Sequence, residues 1–298
     1  MKFISFLAFL FLFSVPGISK EKISSNPQRD AALKEIKNTF GLVPKFYELY
    51  PADGVFGAWE EMKTHELNPK TALPGLYKEL IGLAVASQIP CRYCIYFHTK
   101  AAKLNGGTDQ QIREAIAIAG IVRFWSTYFE GMLIDKKDFM KETDKIMEIQ
   151  KKRMDPSYKP PVLPPLNVTD AETAYQDIER SLGMVPFFVK PLPKNSVAGI
   201  WLTIKGIFFN PASSIPLKIK ALIALGVQGQ VPNRHGTYWD IEMSKLHGAS
   251  DQERVEAVEM AATTRHWSTW LNGNLFDENA FKKEVDKAFA FVKKHSAK

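Results

Sequence analysis

Phe40-Gly41-Leu42-Val43-Pro44 recurs 142 residues later as Leu182-Gly183-Met184-Val185-Pro186. The same spacing carries Trp59 to Trp201, Asn68-Pro69 to Asn210-Pro211 and Gln88-Ile89-Pro90 to Gln230-Val231-Pro232. It also carries Phe124-Trp125-Ser126-Thr127 to His266-Trp267-Ser268-Thr269. A constant offset over most of both halves marks an internal duplication, and such a repeat dictates architecture before any local signal does. Whatever one half folds into, the other folds into as well. The 298 residues leave room for two units of ordinary domain size. Between them lies Lys159-Pro160-Pro161-Val162-Leu163-Pro164-Pro165. Its prolines exclude helix and favour an extended, semi-rigid linker, drawn over residues 151–170. The units are residues 27–150 and 171–293. Asn167-Val168-Thr169 fits a glycosylation acceptor, which matters only in a eukaryotic secretory pathway.

Each half reads as helical. Leu76 to Ala86 is an apolar run broken by Lys78 and Glu79, the pattern of a largely buried helix, and Pro90 ends it. A second helix is expected from about Cys91 to Leu104, stopped by Asn105-Gly106-Gly107. Thr108 and Asp109 start a third, through Ile112, Ala115, Ile116 and Ile118. Another is expected through Trp125 and Phe129, and a charged helix from Lys136 to Lys152 closes the half. No strand-like alternation bounded by turn residues occurs. The expected fold is all-α: two similar helical domains about a pseudo-two-fold axis.

The N-terminus reads as an address. Lys2, an apolar stretch from Phe3 to Val15, and small residues Gly17 and Ser19 describe a secretory signal peptide over residues 1–19. The stretch is short for a bilayer span, which takes about 20 residues; an uncleaved N-terminal anchor is the alternative. The mature chain is therefore expected in the periplasm or outside the cell, where disulfides form. The net charge of +7 is spread among interleaved acids, as where Glu284 and Asp286 precede Lys293 and Lys294. That is a solvated surface, and no nucleic-acid partner is expected.

The chain has only two cysteines, Cys91 and Cys94. A disulfide closing so small a loop stabilises little, since the entropic gain grows with loop length. A structural staple is therefore a poor explanation for the pair. Cys91, Cys94 and His98 lie at offsets of 0, 3 and 7, one face of a helix whose N-terminus favours a thiolate. His98 is placed to take a proton from Cys94. Glu79, a carboxylate inside an apolar helix, needs a partner, and a histidine across the interface would serve. The second half acts as a control. At the positions of Glu79, Cys91, Cys94 and His98 it has Ala221, Asn233, Gly236 and Asp240, while Pro232, Trp267 and Gly273 are kept. The helical frame does not need the four residues.

At these residues the chain resembles the carboxymuconolactone decarboxylase-like superfamily, in its alkylhydroperoxidase AhpD-like branch. The resemblance rests on Glu79, Cys91-Arg92-Tyr93-Cys94, Ile95-Tyr96-Phe97-His98 and Asn105-Gly106-Gly107, and covers roughly residues 70–125. It implies two tandem AhpD-like helical domains that oligomerise, and a thiol-dependent hydroperoxidase or disulfide reductase. Cys94 would attack the peroxide, Cys91 would resolve, and His98 with Glu79 would relay protons. No cofactor is implied beyond the redox-active Cys91–Cys94 disulfide; the partners are a hydroperoxide and an external dithiol reductant. The best-known members carry histidine where Tyr93 stands, and the decarboxylase members lack the cysteine pair.

Other readings stay open at this point. The same thiols serve disulfide exchange on protein partners. Two thiolates, an imidazole and a carboxylate suit zinc, but no second CxxC or HxxxH pair is present. Covalent haem c requires histidine at position 95, which is Ile95. A non-enzymatic binding protein is the last alternative, with His235, Asp240, His247 and His266 as a conceivable second site. Trp125, Tyr128, Trp267 and Trp270 read as core rather than ligand cage.

Overall fold

In the computed structural model, which describes residues 26–231 and 233–296, every regular element is helical. The fold is all-α among the described residues. The leader expected at residues 1–19 lies outside them. None of the described helices is long and apolar enough to cross a membrane.

Helices begin where the sequence supplies caps. Asn26 accepts the Arg29 N–H to open α1 (Pro27–Phe40), and Gly41, at φ 76°, closes it in a conformation that favours glycine. Short helices α2 (Lys45–Glu48) and α3 (Val55–Glu61) follow, and α3 runs into one π-helical turn, Met62–Glu66. Then come α4 (Gly75–Gln88), α5 (Arg92–Leu104), α6 (Asp109–Gly131) and α7 (Lys136–Arg153). The second half contributes α8 (Ala171–Leu182), α9 (Lys194–Phe208), α10 (Leu217–Gln230), α11 (Arg234–Leu246), α12 (Asp251–Gly273) and α13 (Glu278–Ser296). Both ends of α4, α5 and α6 reappear 142 residues on as the ends of α10, α11 and α12. The full reciprocal capping box of Thr108 and Gln111 on α6 has its counterpart in Ser250 and Glu253 on α12.

One expectation needs correction. Residues 109–131 form a single helix, not one through Ile118 and another through Trp125. Gly120 sits mid-helix without a left-handed backbone, so it interrupts nothing.

The halves are interleaved. α4 and α10 pack on each other and on α6 and α12, and their contiguous buried residues form one central core. α13, the last helix, lies on α5, the helix of the cysteines. Conversely α7, from the first half, lies on α11. Two lateral cores result. One joins Phe46, Tyr47 and Trp59 to Trp267 and Phe281, and the other joins Phe129 and Phe139 to Phe188 and Trp201. Each therefore draws on both halves.

Lys78, buried in α4, donates its ammonium to the carbonyls of His65 (2.6 Å) and Asn68 (2.8 Å) and to Thr71 Oγ1 (3.0 Å). Its counterpart Lys220 reaches Glu114 (2.7 Å) and the Ile207 carbonyl. Each lysine thus ties its helix to a carbonyl of the segment that precedes it.

Candidate active site

Cys91 is the N-cap of α5. Its Sγ accepts the backbone N–H of Cys94 at 3.2 Å, a position in which an N-cap oxygen ordinarily serves. Both cysteines are free thiols, Cys91 wholly buried and Cys94 4% exposed. The Cys94 thiol, the Cys94 N–H, the Ser268 hydroxyl and the Asn272 amide, the last two from α12, all favour the Cys91 thiolate. They bring its pKa down to about 6 against the penalty of burial. Cys94 goes the other way. Its thiol donates to Cys91, it is buried, and the neighbouring Cys91 charge opposes its own, so its pKa is pushed far up. Of the two sulfurs, the contact therefore favours Cys91 as the one that ionises and Cys94 as the one that keeps its proton.

The structure brings Glu79 to His98. Glu79 Oε2 lies 2.8 Å from His98 Nδ1, both side chains buried between α4 and α5. Burial pushes the Glu79 carboxyl up to about 8 and holds the His98 imidazole below its usual value. His98 Nε2 faces Thr264 Oγ1 of α12 at 3.4 Å. Gly82 makes room for the ring: a Cβ there would stand 2.6 Å from His98 Cε1.

Sequence spacing missed Glu66. It ends the π-helical turn, a distortion that often marks functional positions. Its Oε1 lies 3.8 Å from His98 Nδ1 and is buried without a hydrogen-bond partner. Burial and the charge of Glu79 push its carboxyl up to about 8. A signal was available in the repeat, where Glu66 corresponds to Phe208, a charged residue opposite an aromatic one.

Cys94, His98, Glu66, Thr264 and Trp267 line one cavity of about 30 Å³, room for a water-sized molecule. The Trp267 indole N–H at its wall is also buried and unpartnered. Cys91 does not line it. Glu66 and Phe97 also border a larger cavity of about 340 Å³ that extends past Glu79 to the partly exposed Leu104.

The sets proposed for other chemistry do not assemble. Among the described residues, the ligand-type atoms that gather within 4.8 Å belong to Glu66, Glu79 and His98; neither thiol joins them, so the two-thiolate zinc set is not formed. His235 bonds the Ile134 carbonyl (2.8 Å), His266 bonds Tyr50 and Glu61, and Asp240 bonds Gln228, so these side chains do not make one second site.

An uncharacterized protein of the cox locus of Paracoccus denitrificans is 42% identical over 57 residues, 19% of this chain and 51% of that protein. An uncharacterized protein of Cupriavidus necator is 43% identical over 47 residues, 16% of this chain and 42% of that protein. The chain spans about half the length, or less, of these curated relatives. No solved structure matches significantly. Residues 53–135, the segment that carries Glu66, Glu79, Cys91, Cys94 and His98, are similar to the carboxymuconolactone decarboxylase family.

Proposed function

We propose that the protein is a thiol-dependent oxidoreductase of the AhpD-like kind that reduces hydroperoxides through a Cys91/Cys94 dithiol–disulfide cycle. The supporting observation is that Cys94 faces a small buried cavity among groups that hold exchangeable protons, while Cys91 stands behind it as a stabilised thiolate. Cys94 passes its proton to Cys91, its hydrogen-bond partner, rather than first to His98. Cys94 sulfur attacks the terminal peroxide oxygen, the O–O bond breaks, and the departing alkoxide takes a proton from Glu66 or from the His98–Glu79 pair. Cys94 is then a sulfenic acid. Cys91 sulfur attacks it, water leaves, and a disulfide remains. An external dithiol restores both thiols by exchange. With the leader of residues 1–19, that dithiol belongs to the periplasm or exterior. Burial of both sulfurs weighs against direct exchange with a folded protein, which must bring its own sulfur in line with one of them.

The test uses the reduced protein freed of reductant and mixed with hydrogen peroxide, small enough for the cavity beside Cys94, with peroxide loss and intact mass followed together. One peroxide consumed per chain, as two thiols become one disulfide, is the expected result. Oxidation no faster than that of a free thiol overturns the proposal.

The ionisations set the pH profile. The single-turnover rate is expected to rise through about pH 6 as Cys91 ionises, and to fall through about pH 8 as the Glu66 and Glu79 acids lose their protons. Glu66→Gln, measured by stopped flow over the same range, should weaken the alkaline fall and leave the acid limb in place.

Gly82→Ala is a geometric test. The added methyl meets the His98 ring and moves it off Glu79. A displacement of about 1 Å can cost about a hundredfold in rate. The variant should keep its helical circular dichroism and lose between about tenfold and a hundredfold in single-turnover rate.

A further inference from the structure

The second half keeps a cavity where its thiol site would be, and that cavity is larger. It measures about 140 Å³ against about 30 Å³ beside Cys94. Every residue lining the Cys94 cavity has its counterpart, 142 positions away, lining this one. Three of the changes remove polar atoms from the wall. Cys94 corresponds to Gly236, which removes the thiol; Glu66 corresponds to Phe208, and Thr264 to Val122, which remove polar atoms. Trp125, expected in the core, forms part of the wall. Ile204, Trp239 and Met243 are half-buried and carry the opening toward the surface. Packed interiors rarely tolerate voids larger than a water, since the lost contacts destabilise roughly in proportion to volume. A chain that had merely lost its thiols would be expected to fill the gap.

Two polar side chains stand at the base, Asp240 and the Gln228 that bonds it. Asp240, the counterpart of His98, is buried and lines the cavity. Its Oδ2 accepts a hydrogen bond from Gln228 Nε2 (3.1 Å), and Gln228 Oε1 accepts one from Asn233 Nδ2 (3.0 Å). Gln228 corresponds to Ala86, and a Cβ at Gly236 would run into its amide. The three side chains form a fixed chain that aims a carboxyl group at an apolar chamber.

We propose that the second half binds a ligand: this cavity takes a small, uncharged, mainly apolar molecule with one hydroxyl, an alcohol or a phenol, whose hydroxyl bonds the Asp240 carboxyl. Burial pushes Asp240 up to about 8, so at neutral pH it presents both an O–H donor and a carbonyl acceptor, the complement of a hydroxyl. The volume suits one six-membered ring, as apolar cavities of about 150 Å³ do. Neither thiol lines the chamber, so this binding stands or falls separately from hydroperoxide reduction.

The probes are phenol and its isostere toluene, titrated into the full chain while tryptophan fluorescence is followed; Trp125, Trp201 and Trp239 line the chamber. Saturable binding of one phenol per chain, tighter than toluene although water solvates phenol better, is the expected result. Ile204→Trp, which fills the chamber from its half-buried edge, should weaken both at least about tenfold. Asp240→Leu should reverse their order, and Cys94→Ser should change neither. Circular dichroism checks that each variant is folded. If Asp240→Leu does not fold, the wild-type order and Ile204→Trp decide. Absence of saturation, toluene binding tighter than phenol to the wild type, or benzylammonium binding tighter than either overturns the proposal.

Discussion

Cys94→Ser is expected to abolish hydroperoxide reduction, by at least about a thousandfold in single-turnover rate, the scale on which removal of an attacking nucleophile acts. Cys91→Ser is expected to behave differently. It should still consume one peroxide per chain, stop there, and leave a Cys94 sulfenic acid that dimedone captures. The asymmetry follows from placement. Cys94 lines the cavity a peroxide must enter, and Cys91 lies behind it, fully buried. The lower pKa of Cys91 does not reverse these roles, because a thiolate that no substrate reaches cannot attack it; it can hold the proton of its neighbour and close the disulfide. The first turn should also be slower in Cys91→Ser, because a serine hydroxyl is a far weaker proton acceptor than a thiolate. Trapping with dimedone and intact mass on both variants, beside the wild type, reads the assignment directly. A Cys91 adduct in Cys94→Ser, formed at the wild-type rate, would reverse it.

Asp240→Asn is expected to stabilise the protein increasingly as pH rises from about 4 to about 8. The Asp240 carboxyl is raised from 3.8 to about 8, chiefly by burial and against the opposing Gln228 bond. The folded state then holds a proton that the unfolded chain has released. Stability from this group is complete below about pH 4 and is lost as pH rises toward 8, at up to about 1.4 kcal/mol per pH unit. Asparagine keeps the shape and releases no proton, so the difference between variant and wild type isolates the one group. Glu66 and Glu79 carry the same sign and are present in both proteins, so they cancel. Urea denaturation of the pair at pH 5, 6.5 and 8 measures the effect. A difference that does not change with pH would mean that Asp240 is ionised in the folded state.

Much of the site could be read along the chain because it follows one helix. Cys91, Cys94 and His98 share α5, and spacing alone aligns them. Glu79 could be inferred because a carboxylate in an apolar helix demands a partner. The adjacent Lys78 carries the same signal and proves to be part of the frame; the repeat separates them, keeping lysine at 220 and replacing the carboxylate by Ala221. Glu66 sits in the polar run Lys63-Thr64-His65-Glu66, which looks like a solvated turn, and only the π-helical turn carries it inward. Thr264, Trp267 and Ser268 come from α12, some 170 positions from Cys94, and periodicity within α12 does not tell which core it faces. The chamber in the second half was hidden for the opposite reason. Its walls are the aromatic residues that any core would use, and a void has no sequence signature.

Because α5 meets α12 and α13 inside one polypeptide, the surroundings of Cys94 cannot dissociate. Were the halves separate chains, each site would exist only while the dimer did, and dilution would dismantle it. Tethering replaces the bulk concentration of a partner by an effective one, commonly millimolar for short linkers. The site is therefore a property of the single molecule at any abundance. Covalent fusion also makes its two ends genetically independent. In a homodimer each substitution appears at both sites, whereas here Cys94 and Gly236 can differ within one shared architecture.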